Sequence, residues 1–307
     1  WGVKKFETPS DHLVEGTFLI NPGDSFNLIV KNLSDKKYID NPYLFKLGVL
    51  VKQSRKKLKY GEYEFPKNAS MNDILTFIVD GRTKVHKLII PEGFSNYQIT
   101  ERLMSEELLR GKIEALLVEG SYAPQTYLFS RGDKRINLLT LMGEQQLVIL
   151  DQAWKNRAIG LPLNNKYEAL ILASIIEEEA SSIEEQKIIS SVFINRLKYG
   201  MRLQTDPTVI YGITKGEYKL GRGLLKTELT QYTPWNTYRI KGLPPTPITN
   251  PGKAAIEAAT QPASTDFLYF VANGKGGHWF AKTNDEHNKN VRKWREIERS
   301  RNKKVND

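Results

Sequence analysis

The sequence predicts an α+β protein in three parts: a small β-α-α-β N-terminal domain over residues 1–82, a mixed α/β connecting region over 83–160, and a helix-plus-loop domain over 161–307. Three observations predict it. Short β-branched and aromatic runs alternate with helical spacing through the first hundred residues, residues 166–199 form a long helix-rich stretch, and from Gly200 to Gly277 proline, glycine, tyrosine and asparagine dominate. A chain of 307 residues, 40% hydrophobic and 26% charged, holds the apolar material for such cores, which excludes a disordered or fibrous class. With no cysteine there is no disulfide framework, Cys-ligated zinc, iron–sulfur cluster or thiol nucleophile.

The run Thr17-Phe-Leu-Ile20 reads as a strand closed by the turn Asn21-Pro22-Gly23. Asp24 then stands where it caps a helix carrying Phe26, Leu28, Ile29 and Leu33. Asn41 and Pro42 supply an N-cap and an N1 proline for a second helix through Val51, and Glu62-Tyr-Glu-Phe65 returns as a strand. This β-α-α-β order resembles, in element order only, the carbohydrate-binding LysM module. A related pattern recurs 70 positions on, where Gly93, Ser95, Ile99 and Leu103 stand for Gly23, Ser25, Ile29 and Leu33, and Ser95 with Gln98 reads as a capping box. A true repeat and a generic strand–turn–helix signature fit it equally well.

The most informative segment is Glu168-Ala-Leu-Ile-Leu-Ala-Ser-Ile-Ile-Glu-Glu-Glu-Ala180, a helix apolar on every side at its centre and therefore buried on most faces. At ~100° per residue its three consecutive glutamates point three ways. Glu178 falls beside Ser174 on the polar side and Glu177 between Leu170 and Ala173, while Glu179 projects along the side of Leu172, Ile175 and Ile176. An acid against apolar groups has its charged form disfavoured, so its pKa rises toward the range of a general acid. Two bland alternatives stay open: the helix ends before Glu179, or the acid pairs with Arg196 or Arg202.

Residues 184–199 carry Ile188, Ile189, Val192, Phe193 and Leu197 at helical spacing, followed by a stop at Gly200. Beyond it, Gln204, Asp206, Thr208 and Tyr211 alternate with apolar residues, and Trp235-Asn-Thr-Tyr238 adds aromatics. Sugars are held by such mixtures, with rings against pyranose C–H faces and amides or carboxylates on the hydroxyls. Each aromatic taken alone serves loop packing as readily.

The runs Ala173-Ser-Ile-Ile-Glu-Glu-Glu-Ala180, Ser191-Val-Phe-Ile-Asn-Arg-Leu197, Met201-Arg-Leu-Gln-Thr-Asp-Pro-Thr-Val-Ile-Tyr-Gly212, Gly242-Leu-Pro-Pro245, Asn250-Pro-Gly252 and Tyr269-Phe-Val271 through His278, in this order, resemble the YceG-like family of endolytic murein transglycosylases. The resemblance implies a lytic transglycosylase with a LysM-like N-terminal part that cuts nascent peptidoglycan strands at the MurNAc-β-1,4-GlcNAc bond and leaves 1,6-anhydro ends. It places the catalytic acid on Glu179, the second acid of a Glu-x-Glu pair begun by Glu177. Glu177, Asn195, Gln204, Asp206, Tyr211 and Tyr238 are the expected substrate-binding residues. It also implies a single-pass protein of the bacterial inner membrane, with its catalytic part in the periplasm and an anchor absent from this chain, and penicillin-binding proteins as partners. No cofactor or metal is expected. A His278, Asp285, Glu286, His287 metal site lacks a close His pair.

Charge narrows the competing classes. Lysine and arginine number 45 against 35 acids, a formal +10. The excess sits in two clusters, Lys52–Lys59 and Lys289–Asp307, and neither contains a nucleic-acid recognition motif, so nucleic acid is not an expected partner. The alternative from another class is a non-catalytic murein-binding scaffold, in which the N-terminal module and these clusters hold anionic glycan. No apolar run approaches the ~18–20 residues that span a bilayer.

Overall fold

In a computed structural model of the chain, which describes residues 2–9, 15–114, 118–180 and 182–306, the side chains of 302–306 excepted, the N-terminal strand–turn–helix pattern forms with one change of cap. After helix α1 (Gly2–Glu7) and strand β1 (Gly16–Ile20), helix α2 (Phe26–Asp35) is capped by Ser25 rather than Asp24. The Ser25 hydroxyl oxygen accepts from Leu28 N at 3.2 Å, whereas Asp24 Oδ2 is taken by Asn21 N at 2.7 Å and closes the preceding turn. Asn41 caps helix α3 (Pro42–Val51) with proline in its first turn, as the sequence predicts.

Strand β2 (Gly61–Phe65) pairs antiparallel with β1, from Gly16↔Phe65 to Ile20↔Gly61. The register places Phe18 and Ile20 beside Tyr63 and Phe65, all buried, and helix α4 (Met71–Asp80) adds Ile74 and Ile78 to the same core. Tyr38 meets Phe18 and Phe65 edge-on at 5.5 and 5.3 Å. Strand β3 (Val85–Ile89) leads to helix α5 (Asn96–Met104), whose capping box joins Ser95 and Gln98 in both directions. Strand β4 (Thr126–Ser130) pairs with β3. Two compact units result: Trp1–Leu88 with Glu106–Gly111 and Tyr127–Lys134, and Ile89–Ser105 with Lys112–Thr126 and Arg135–Asp307.

The second unit is built on helices α6 (Arg135–Lys155), α7 (Lys166–Glu179) and α8 (Ile183–Lys198). Residues Ala169 to Ile176 of α7 are all buried, in keeping with its all-round apolar centre. Asn165 caps α7, and Ser182 caps α8, which ends before Gly200 at φ +64°. The stretch read as loop-rich contains more helix than its composition suggests: α9 (Asp206–Thr214), α10 (Lys226–Thr230) and α11 (Lys253–Thr260). Pro207 fits the first turn of α9. Alanine's helix propensity and small size suit α11 to the core, where Ala255, Ile256, Ala258 and Ala259 are fully buried beside α7. A hairpin of β5 (Tyr269–Ala272) and β6 (His278–Ala281) precedes the polar helix α12 (Asn284–Asn306).

The mixed helix and small-sheet architecture agrees with the α+β expectation. The single-pass inner-membrane expectation is corrected: among the described residues, no helix is long and apolar enough to cross a membrane. The longest, α12, is strongly polar and α6 carries charges along its length, so neither presents the unbroken apolar surface that hydrocarbon requires.

Candidate active site

The last turn of α7 lies between two cavities of the second unit, and its three glutamates divide between them. Glu179 lines one of about 560 Å³, together with Arg196, Gln204, Asp206, Tyr238 and the hairpin residues Tyr269 and His278. Glu177 and Glu178 line the other, about 550 Å³, with Glu92, Tyr211 and Lys219. Consecutive residues on a helix are ~100° apart, which is why one Glu-Glu-Glu run serves both.

Burial raises the Glu179 pKa, and the negative charge of Asp206 pushes the same way. Opposing them, Thr205 Oγ1 donates a hydrogen bond to Glu179 Oε1, and the electrostatic influence of His278 and Arg196 favours the carboxylate. Thr205 occupies the N-cap position of α9, yet its hydroxyl makes no cap bond there. Its own N–H is held by Thr237 Oγ1 at 3.1 Å. One residue on, Asp206 Oδ1 accepts from the Tyr238 hydroxyl at 2.7 Å, and this bond, together with burial, makes the phenol hard to ionise. His278 is clamped by Glu185, which accepts from its backbone N–H at 2.8 Å and contacts Nδ1 at 2.9 Å. The result is an acid of raised pKa ringed by hydrogen-bonding and aromatic groups, the equipment of general acid–base chemistry on a polar substrate.

In the second cavity Glu177 Oε2 accepts from Gly252 N at 2.9 Å. A Cβ at Gly252 would lie 1.8 Å from Glu92 Oε1, so this approach of backbone to acid suits glycine. Burial raises the Glu177 pKa, and Glu92 adds to it. Glu178 is crowded on most sides and repelled by Glu177 and Glu179, which raises its pKa too; its exposed surface admits water and softens that push. Behind them lies a buried acid. Glu119 accepts from Asn96 N at 2.7 Å, from Asn250 Nδ2 at 3.1 Å and from the Tyr211 hydroxyl at 3.4 Å, and burial still pushes its pKa up to about 7.

Of the expected site residues, Gln204, Asp206 and Tyr238 therefore gather around Glu179, while Glu177 and Tyr211 line the neighbouring cavity. Asn195 lines neither; both its amide protons go to the carbonyls of Thr265 and Phe267, at 2.9 and 3.0 Å. The suggested pairing of Glu179 with Arg196 takes the form of charge influence without a hydrogen bond. Sequence reasoning did not single out Thr205 or Glu119, and Asn250 entered it only as the start of the Asn250-Pro-Gly252 run. The signals were there only faintly: a threonine before Asp-Pro, and an acid before a Gly-Ser turn.

Such a constellation is suited to acid–base chemistry, and comparison with known proteins agrees with the sequence resemblance. The profile of the YceG-like family matches residues 18–293, and the chain belongs to that family. A protein of Bacillus subtilis (strain 168) named endolytic murein transglycosylase is 38% identical over 180 residues, 58% of this chain and 48% of its own length. A protein of the same name from Streptococcus pneumoniae serotype 2 is 27% identical over 283 residues, 76% of this chain and 50% of its own length. The chain thus spans about half the length of these curated relatives. The crystal structure of a YceG-like protein from Listeria monocytogenes, 33% identical, shares the fold over 90% of this chain and 99% of that one, with a TM-score of 0.54.

Proposed function

We propose that the chain carries the catalytic unit of an endolytic peptidoglycan lytic transglycosylase, with Glu179 as the acid that becomes the base. The observation that carries the reading is a single partly enclosed carboxyl of raised pKa opening on a cavity of sugar-compatible groups. Protonated Glu179 donates to the glycosidic oxygen between MurNAc and GlcNAc while positive charge develops at the muramyl C1. The carboxylate so formed takes the proton of the muramyl C6 hydroxyl as that oxygen closes on C1, giving the 1,6-anhydro end. The nucleophile belongs to the substrate, so the two-carboxylate spacing of ordinary glycosidases does not apply.

Gln204, Asp206 and Tyr238 contact the sugar next to Glu179 in this reading. Glu177 and Tyr211 meet the strand further along, and Asn195 acts by fixing the segment before β5. The division into residues 1–82, 83–160 and 161–307 becomes a division of labour, with the β-α-α-β module, LysM-like in element order, holding glycan for the catalytic part. Penicillin-binding proteins as partners belong to the same proposal and rest on the family resemblance. Glu179→Gln tests it: the variant should keep the parent's unfolding midpoint yet release no anhydro-muropeptides from purified murein by mass spectrometry. Parental yield would sink the assignment, and a hydrolytic reducing-end product would shift the chemistry toward Asp206. Cleavage lost with binding kept separates the enzyme from the scaffold alternative.

A further inference from the structure

Two polar groups on one wall of the Glu179 cavity lack a partner among the described residues, and both lie against Tyr269. Arg196 is 7% exposed. Its Nε donates to Leu268 O at 2.7 Å and its Nη1 to Leu203 O at 2.6 Å, which fixes the guanidinium plane; Nη2 makes no hydrogen bond to the described residues, and Arg196 forms no ion pair with them. The guanidinium lies 5.3 Å from the Tyr269 ring centre. His287 stacks on the same ring at 5.2 Å, and its Nδ1 is buried with no partner among the described residues.

A buried cation is ordinarily matched by an anion, because an unpaired guanidinium out of water is costly. The acids lining the cavity, and Glu185 behind His278, do not supply the match. Asp206 is engaged by Tyr238, Glu185 by His278, and Glu179 Oε1 by Thr205. When Glu179 is protonated, as the proposed chemistry requires, its influence on Arg196 vanishes as well. A planar guanidinium with one free NH2 group is suited to a carboxylate.

We propose that Arg196 Nη2, with His287 beside Tyr269, forms a subsite for a carboxylate carried by the glycan strand. Two groups supply one: the carboxylates of the stem peptide, where the strand carries it and the lactyl group on C3 of the muramyl ring is its amide, and the lactyl carboxylate itself, where the stem has been removed. The inference rests on the proposed function for its substrate. It makes Arg196 a specificity-determining residue that favours strands whose carboxylates are free over strands in which they are capped as amides.

The test measures binding to the Glu179→Gln variant by isothermal titration, so that turnover does not intrude. Peptide-free murein tetrasaccharide should bind about tenfold tighter than the same tetrasaccharide with its lactyl carboxyls converted to N-methyl amides. The contrast should shrink with added salt and fall to about one in the Glu179→Gln, Arg196→Gln double variant. Should that variant unfold for want of its carbonyl tethers, Glu179→Gln, His287→Phe keeps the ring and removes Nδ1, and should lose part of the contrast. A contrast confined to peptide-bearing tetrasaccharide with free against amidated stem termini keeps the subsite and assigns it to the stem. Equal affinities in both comparisons overturn it. Turnover by the parent is scored separately: anhydro product at equal rates from acid and amide in both the lactyl and the stem comparison sinks the subsite and spares the reaction, whereas a binding contrast with no anhydro product does the reverse.

Discussion

The hydroxyl of Thr205, at the N-cap position of α9, is spent on Glu179 at the end of α7 instead of on its own helix. A capping hydroxyl normally accepts from an N–H two or three residues on; here it donates to a carboxylate, which favours the charged form and opposes the upward push of burial. Thr205→Val removes that donor with little change of shape. The Glu179 pKa then rises further, so the falling limb of the rate against pH should move to higher pH, with a plateau about tenfold lower from lost orientation of the acid. Anhydro-product release measured from pH 4 to 9 checks it, and an unmoved limb would separate Thr205 from the catalytic titration.

Asp206 acts on the same acid with the opposite sign. Its charge raises the Glu179 pKa, and Asp206→Asn removes the charge while its amide oxygen still accepts from Tyr238. The falling limb should therefore move to lower pH, with activity lost along that limb as less Glu179 stays protonated. A double variant with Thr205→Val should return the limb toward its parental position. If both single variants move it the same way, the electrostatic account of the site fails.

What the sequence revealed and what it withheld have physical reasons. The separate direction of Glu179 was legible because helical periodicity is local: ~100° per residue parts it from Glu177 and Glu178 without any knowledge of the fold. The caps at Asn41 and Ser95 were legible for the same reason, whereas Asp24 lost its role to Ser25 because a competing acceptor was needed one turn earlier. The ring around Glu179 was only half legible. Gln204, Asp206 and Tyr238 carry side chains suited to sugars, but Asn195 looks equally suited and is committed to two carbonyls 70 and 72 residues away. Glu119 escaped because nothing local distinguishes a buried acid from a surface one; its partners Asn96 and Asn250 come from α5 and from the loop before α11.

Glu119 gives a prediction about stability and pH. Its folded pKa of about 7 exceeds the unfolded value, so the native state binds the extra proton between roughly pH 4.5 and 7 and loses stability as pH rises through that window. Glu119→Gln keeps an acceptor for Asn96 N and Asn250 Nδ2 and abolishes the titration. Urea unfolding should show the two proteins alike near pH 4.5 and the variant more stable at pH 8 by about 2–3 kcal/mol, the size of a pKa shift of that order. A difference independent of pH would mean that Glu119 stays protonated, or ionised, throughout.

Gly120, next to that acid, tests how tightly the loop is held. Its φ is +84°, a region that side chains rarely adopt, and a Cβ there would lie 2.7 and 2.8 Å from Cβ and Cγ of Pro247. The proline ring cannot swing aside as a flexible chain end does, so Gly120→Ala combines backbone strain with a clash against a rigid neighbour. The Gly120 carbonyl also accepts from the buried Gln146 Nε2 at 3.0 Å, a bond that a shifted loop would strain. Destabilisation of about 2–4 kcal/mol is expected in urea unfolding, well above the ~0.5 kcal/mol of an ordinary surface change. Gly132→Ala is the matched control, since its φ of +87° carries similar strain while nothing lies within 4 Å of its Cβ. A Gly120 variant no worse than this control would show that Pro247 yields, and that the loop behind Glu119 is softer than its packing implies.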